Sequence, residues 1–141
     1  MSSVPTREEI GRDATWLVQA FDASADKTRI VRMTPETYRT ASFLDDRLFQ
    51  QPQDAHIVDW DLAAGAVPSD ARRDARWIFH IGHVGSTLVA RLLGEIEGVL
   101  CVREPRTLRD LAMAPDRDAY TPQVQALMSR SFAPDHVGLV K

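Results

Sequence analysis

The chain has 141 residues, 44% of them hydrophobic and 26% charged, with a formal net charge of −3 at pH 7. That composition can furnish the core of one modest domain and excludes a disordered chain. The slight acidity excludes the broad basic field that duplex nucleic acid or an anionic membrane surface requires, and a single cysteine, Cys101, excludes an internal disulfide framework.

No stretch approaches the ~20 apolar residues of a membrane span. The opening "MSSVPTREEIGRD" has neither a basic n-region nor an apolar h-region, so the expected compartment is the cytoplasm. Thr6 and Glu9 form a capping box. After them Ile10, Ala14, Leu17, Val18 and Phe21 recur near helical spacing, which predicts a docking helix. Residues 28–33, "TRIVRM", alternate as a strand. Thr34 before Pro35 opens a second helix containing Tyr38, which "ASFLDDRLF" continues or repeats. In "HIVDWDLAAGAVP", Ile57, Val58 and Trp60 read as a short strand or as an edge under the main sheet, closed by Gly65 and Pro68. Residues 1–75 are thus expected to form a helix-rich segment with one short strand, packed on a core made by residues 76–141.

From Arg76 the pattern sharpens. "RWIFHIG" reads as a buried parallel strand. A helix is predicted over 87–97, with Leu88, Leu92, Leu93 and Ile96 toward the sheet, Arg91 and Glu95 as an exposed pair, and Gly98 as its stop. "VLCVREP" reads as a second buried strand, 107–113 as a helix, Thr121 with Pro122 as the cap of a helix running to Arg130, and "HVGLVK" as a third strand. Alternating strands and helices predict an α/β fold with a mostly parallel sheet and its ligand site at the strands' carboxyl ends. Three strands are few for such a sheet. The chain is therefore expected to be the front part of a longer domain, with an open edge through which copies associate.

Between the first of these strands and its helix lies Gly82-His83-Val84-Gly85-Ser86-Thr87. A helix leaves its first amides unpaired and carries about +0.5 charge at that end, which suits a phosphate. Gly82 and Gly85 permit backbone conformations that a Cβ would oppose, and the hydroxyls of Ser86 and Thr87 add donors. The common nucleotide loop G-x-x-x-x-G-K-[ST] fits poorly: aligned on Gly85, it finds His80 at its first glycine and Ser86 at its lysine. A magnesium-dependent triphosphatase is disfavoured on that account.

"FHIGHVGSTLVARLLG" followed by "VLCVREPRTLRDLA" resembles the sulfotransferase-like family of the P-loop nucleoside triphosphate hydrolase superfamily. Members carry a loop such as K/R-S-G-T/S-T, to which Gly85, Ser86 and Thr87 correspond residue by residue. The acidic-proline turn at Glu104 and Pro105 and the terminal "VGLVK" extend the likeness more weakly. The resemblance implies a P-loop-type three-layer α/β/α fold, cut off after its third strong strand. It also implies that Gly82, His83, Val84, Gly85, Ser86 and Thr87 hold the phosphosulfate end of 3′-phosphoadenosine 5′-phosphosulfate for metal-free sulfonyl transfer to a hydroxyl or amine acceptor. Two departures stand out. His83 occupies the place of a lysine or arginine that contacts the bridging oxygen, and the grip on the 3′-phosphate is expected from elements after Lys141. In this scheme His83 assists departure of the nucleotide phosphate, Glu104 contacts or deprotonates the acceptor, and Arg103 or Arg106 steers an anion.

Each assignment has a structural counterpart. His83 would cap the loop, His80 would pack within the sheet, and Glu104 would cap the following helix. Arg103, Arg106 and Arg109 would pair with Asp110 and other acids, Lys141 would be a strand-end charge, and Trp16, Trp60 and Trp77 would anchor the core. His80 and His83 with Cys101 lack the paired cysteines of a zinc site, and no metal is expected. A truncated or non-catalytic anion-binding relative and, on the "REP" turn, a kinase-like phosphotransferase are the alternative functions.

Overall fold

The computed structural model describes residues 3–50 and 52–141. Two three-stranded sheets, one antiparallel and one parallel, share one main hydrophobic cluster that runs from Ile10 to Val140. The capping box at Thr6 and Glu9 forms and starts α1 (Arg7–Arg12), which Asp13 ends in an extended conformation. The predicted continuation of that helix to Phe21 is instead a strand, β1 (Trp16–Asp22). The cause lies in burial: Trp16, Leu17, Val18 and Gln19 are all buried. A strand covered on both faces is apolar at nearly every position, so it satisfies helical spacing by coincidence.

A turn held by the Asp22 carboxylate, which accepts from Ser24 and Ala25, leads into β2 (Lys27–Arg32). Thr34 caps α2 (Pro35–Thr40) as its sequence predicts, and "ASFLDDRLF" supplies a separate 3-10 turn (Asp46–Gln50) rather than more of that helix. β3 (Ala55–Asp59) pairs antiparallel with β2 and runs directly into α3 (Trp60–Ala64). Among the described residues of the first 75, β2 matches the expected strand, β3 realises the strand reading of Ile57 and Val58, β1 replaces a predicted helix, and Trp60 sits in a helix.

The second sheet contains β4 (Arg76–Trp77), β5 (Val99–Val102) and β6 (Val137–Val140), all parallel in the order β4-β6-β5. Between β4 and β5 runs α4 (Ser86–Gly94), and between β5 and β6 run α5 (Arg106–Met113) and α6 (Arg117–Met128). Side chains alternate across this sheet. Cys101 and Leu139 pack with Ala90 of α4, whereas Leu100, Val102 and Val140 join the main cluster with residues of α6 and β1. A register shift in the β1–β2 pairing lies between Val18 and Ala20. There the buried Thr107 hydroxyl donates to the Val18 carbonyl at 2.7 Å and ties α5 to β1. Among the described residues, no helix is long and apolar enough to cross a membrane.

Three sequence expectations in this half need correction. The paired part of the strand predicted over 76–82 is only Arg76–Trp77, with Ile78 adding one amide bond to the Val140 carbonyl; Phe79 and Ile81 are 90% and 96% exposed. Leu88 and Leu92 of α4, and Ile96 just beyond it, face outward, while Ala90 is fully buried and Leu93 packs beside it toward the sheet as expected. Close packing explains the inversion, because a Cβ on Gly94 would lie 3.1 Å from the Cβ of Cys101. Small side chains let the helix approach the sheet, whereas the hydrophobic pattern selects the bulky ones. Finally, α6 begins at Arg117, and Thr121 donates its hydroxyl to the Arg117 carbonyl instead of capping. Pro122 therefore lies inside the helix.

The inverted face makes a direct prediction. Ala90→Leu overpacks the sheet contact and costs about 1–3 kcal/mol, while Leu92→Ser changes stability by no more than about 0.5 kcal/mol. Urea midpoints of the two variants decide it, and the reverse ranking would restore Leu92 to the core.

Candidate functional site

Because β4, β5 and β6 are parallel, the segments that follow Trp77, Val102 and Val140 emerge at one edge of the sheet. The glycine loop, Glu104 and Lys141 meet there. Gly82 and Gly85 adopt φ of +81° and +82°, and Gly85 is the N-cap of α4. Nothing lies within 4 Å of a Cβ placed on either glycine, so backbone conformation rather than space calls for glycine here. His83, between them, also has a positive φ of 47°, which costs a side-chain-bearing residue roughly 1–2 kcal/mol. The Val89 amide bonds the Gly85 carbonyl at 3.1 Å. The preceding amides of Ser86, Thr87 and Leu88 occupy the first turn, which has no intrahelical acceptor to offer them.

The structural counterparts expected of the two histidines, a loop cap at His83 and sheet packing at His80, are not what the structure holds. His80 has left the sheet: its Nδ1 accepts from the Gly82 amide at 3.3 Å, and its Nε2 lies 3.9 Å from Glu104 Oε1. Among the described residues, none forms a hydrogen bond or ion pair with the His83 side chain, which is exposed along with Gly82, Val84 and Gly85, whereas Ser86 is buried and Thr87 half-buried. Structural pinning thus falls to His80, and His83 faces solvent.

Glu104 does not cap α5, whose N-cap is Pro105 without a side-chain bond. Its backbone sits at φ +49°, and its amide donates to the Lys141 carbonyl at 2.7 Å. Its carboxylate accepts from the Lys141 ammonium and lies 3.8 Å from the Arg47 guanidinium. Lys141 is the residue that sequence reasoning missed. Its side chain is only 2% exposed, and Nζ also donates to Thr87 Oγ1 at 2.8 Å. The ammonium thereby joins the loop helix to the ends of two strands. A signal was present, a lysine closing an otherwise apolar strand, but its partners lie 37 and 54 residues away in the chain.

Beside this cluster opens a cleft of about 320 Å³, bordered by Asp45, His80, Glu104, Arg106, Arg109 and Lys141. Two of its cations are already committed. Arg106 and Arg109 reach Asp46 at 2.9 and 3.0 Å, and Arg106 also bonds Asp110. Arg47, bound to Asp45, lies over the Phe43 ring, and its hydrogen bonds hold the Asp45 carboxyl below the usual carboxylate range.

Arg103 is not brought to the loop. Its buried guanidinium donates to the carbonyls of Tyr38, Arg39 and Ala41 at the end of α2, and burial pulls its pKa down. The negative end of a helix suits a guanidinium. The residue singled out for an anion thus anchors α2 to β5.

Comparison with protein-family models, with curated proteins and with solved structures finds no match to this chain.

Arg103→Met leaves those α2 carbonyls without their donor and is expected to lower stability by about 1–3 kcal/mol. Urea unfolding measures the loss, and amide exchange should accelerate first in α2. An unchanged midpoint would mean that the guanidinium has another place.

Proposed function

We propose that this chain is a sulfotransferase-like P-loop domain that binds the phosphosulfate end of 3′-phosphoadenosine 5′-phosphosulfate on residues 82–87. The supporting observation is a convergence at the carboxyl edge of a parallel sheet: first-turn amides of α4, two glycines at positive φ, and a lysine ammonium drawn under the surface. Open α/β sheets bind their ligands at that edge. Since Thr87 Oγ1 accepts from Lys141, the hydroxyl's own hydrogen remains free to donate to a ligand oxygen. The ammonium has three N–H groups and uses two on Thr87 and Glu104, which leaves one for the same ligand. The loop has Ser86 where a lysine is common, and Lys141 supplies that charge from across the sheet.

In the transfer, the acceptor's oxygen or nitrogen attacks sulfur as the bond from sulfur to the bridging phosphate oxygen breaks. The electron pair of that bond departs on the nucleotide phosphate. The acceptor's proton passes to Glu104 at the cleft. The amides of residues 86–88 and the Lys141 ammonium stabilise the negative charge of the transferring group, and a protonated His83 donates to the leaving phosphate. Arg103 has no part in this scheme. A second reading, anion binding without turnover, draws on the ion pair that occupies Glu104, because an oxygen bonded to the Lys141 ammonium is not open to the acceptor's proton.

Calorimetric titration separates these readings. Tighter binding of adenosine 3′,5′-bisphosphate than of inorganic sulfate supports the transferase, sulfate alone supports the non-catalytic site, and a preference for ATP with magnesium replaces both with a kinase-like protein. Gly85→Val should abolish whichever signal is found, because a β-branched residue is a severe misfit at φ +82°. Unchanged affinity in that variant would remove the loop from the site.

A further inference from the structure

The ammonium assigned to the donor already has an anion beside it, and the two members of that pair are not equally free. The Lys141 side chain is 2% exposed, whereas that of Glu104 is 29% exposed and borders the cleft. An ammonium taken out of water needs a counter-charge. Lys141 cannot reach solvent without leaving Thr87, but Glu104 needs only a side-chain rotation toward the cleft. The other carboxylate oxygen, Oε2, already lies 3.8 Å from the guanidinium of Arg47, whose side chain is 51% exposed, so a cation stays beside Glu104 when Oε1 leaves Lys141. The positive φ of Glu104 and its amide bond to the Lys141 carbonyl keep the two backbones together whichever way the carboxylate turns.

We infer that Glu104 is a resident anion that holds the ligand's place on Lys141, and that an incoming sulfate or phosphate oxygen displaces it toward Arg47. The inference rests on the anion-binding reading of residues 82–87. Binding of the donor and release of the Glu104 carboxylate then become one event. A carboxylate freed in this way faces the cleft at the moment the sulfonyl group is in place, so the donor binds before the acceptor is activated. An ordinary structural ion pair behaves differently, because loss of either member weakens the site.

Inorganic sulfate is the probe, titrated into the full chain and into Glu104→Gln, Lys141→Met and Gly85→Val variants. Glu104→Gln should bind sulfate roughly tenfold more tightly than the parent, the fold-change that corresponds to removal of one charge-assisted competitor. Lys141→Met should bind it at least roughly tenfold more weakly. Should Glu104→Gln be destabilised by the counter-charge it removes, the rise of its urea midpoint with sulfate concentration still reports affinity, and that rise should be steeper than the parent's. Glu104→Asp, whose carboxylate is withdrawn by one methylene, should shift in the same direction by a smaller factor. Equal or weaker sulfate binding by Glu104→Gln, with a parent that binds and a Gly85→Val variant that does not, overturns the displacement and leaves the loop site standing. A parent that binds no sulfate overturns both.

Discussion

An ammonium that keeps only 2% of its side chain in contact with water must find its partners inside the protein, and Lys141 finds them in two parts of the chain distant from its own. Thr87 belongs to the first turn of α4, Glu104 follows β5, and the lysine itself closes β6. The interaction is possible only because β4, β5 and β6 run in the same direction, which brings their following segments to one edge. It also sets the electrostatics of that edge. Positive charge stands beside free amides, and the one carboxylate that balances it is the more exposed member of the pair.

The remaining cations near the core serve the backbone. Arg130, deep between α6 and the N-terminal elements, donates to the carbonyls of Ile10, Asp13, Trp16 and Leu127, and burial lowers its pKa. Arg103 treats the end of α2 in the same manner. A guanidinium presents five donors in a planar fork, so it can gather several carbonyls that the strands and helices leave unpaired. Arg130 thereby fastens α6 to α1 and to the start of β1, and Arg103 fastens the end of β5 to α2. This use of arginine also separates the cations that hold the fold from the lysine that faces the loop.

Much of the local structure could be read from the chain, because its causes are local. The capping box at Thr6 depends on a side chain three residues away, the start of α2 depends on Thr34 and the adjoining Pro35, and the glycines of the loop answer to a backbone angle at their own position. The predicted strands over 28–33 and 99–105 appear at β2 and β5 with shifts of their ends. Errors arise where a distant surface decides. Trp16–Asp22 is a strand because its early residues are covered on both faces by other elements, and the bulky face of α4 turns outward because Gly94 and Ala90 admit a close approach to Cys101. Phe79 and Ile81 have the composition of a buried strand and lie in an exposed loop, since β4 is paired only as far as Trp77 and Ile78 reach along β6.

By itself, the sequence determined an α/β chain with a glycine loop between a strand and a helix, because turn chemistry, capping and hydrophobic composition act over a few residues. Tertiary structure alone decided that Arg103 serves a helix end and that Lys141 reaches Thr87 and Glu104. Those outcomes depend on which strands lie side by side and in which direction. Contacts spanning 37 to 65 residues leave no periodicity in the chain from which they could be read.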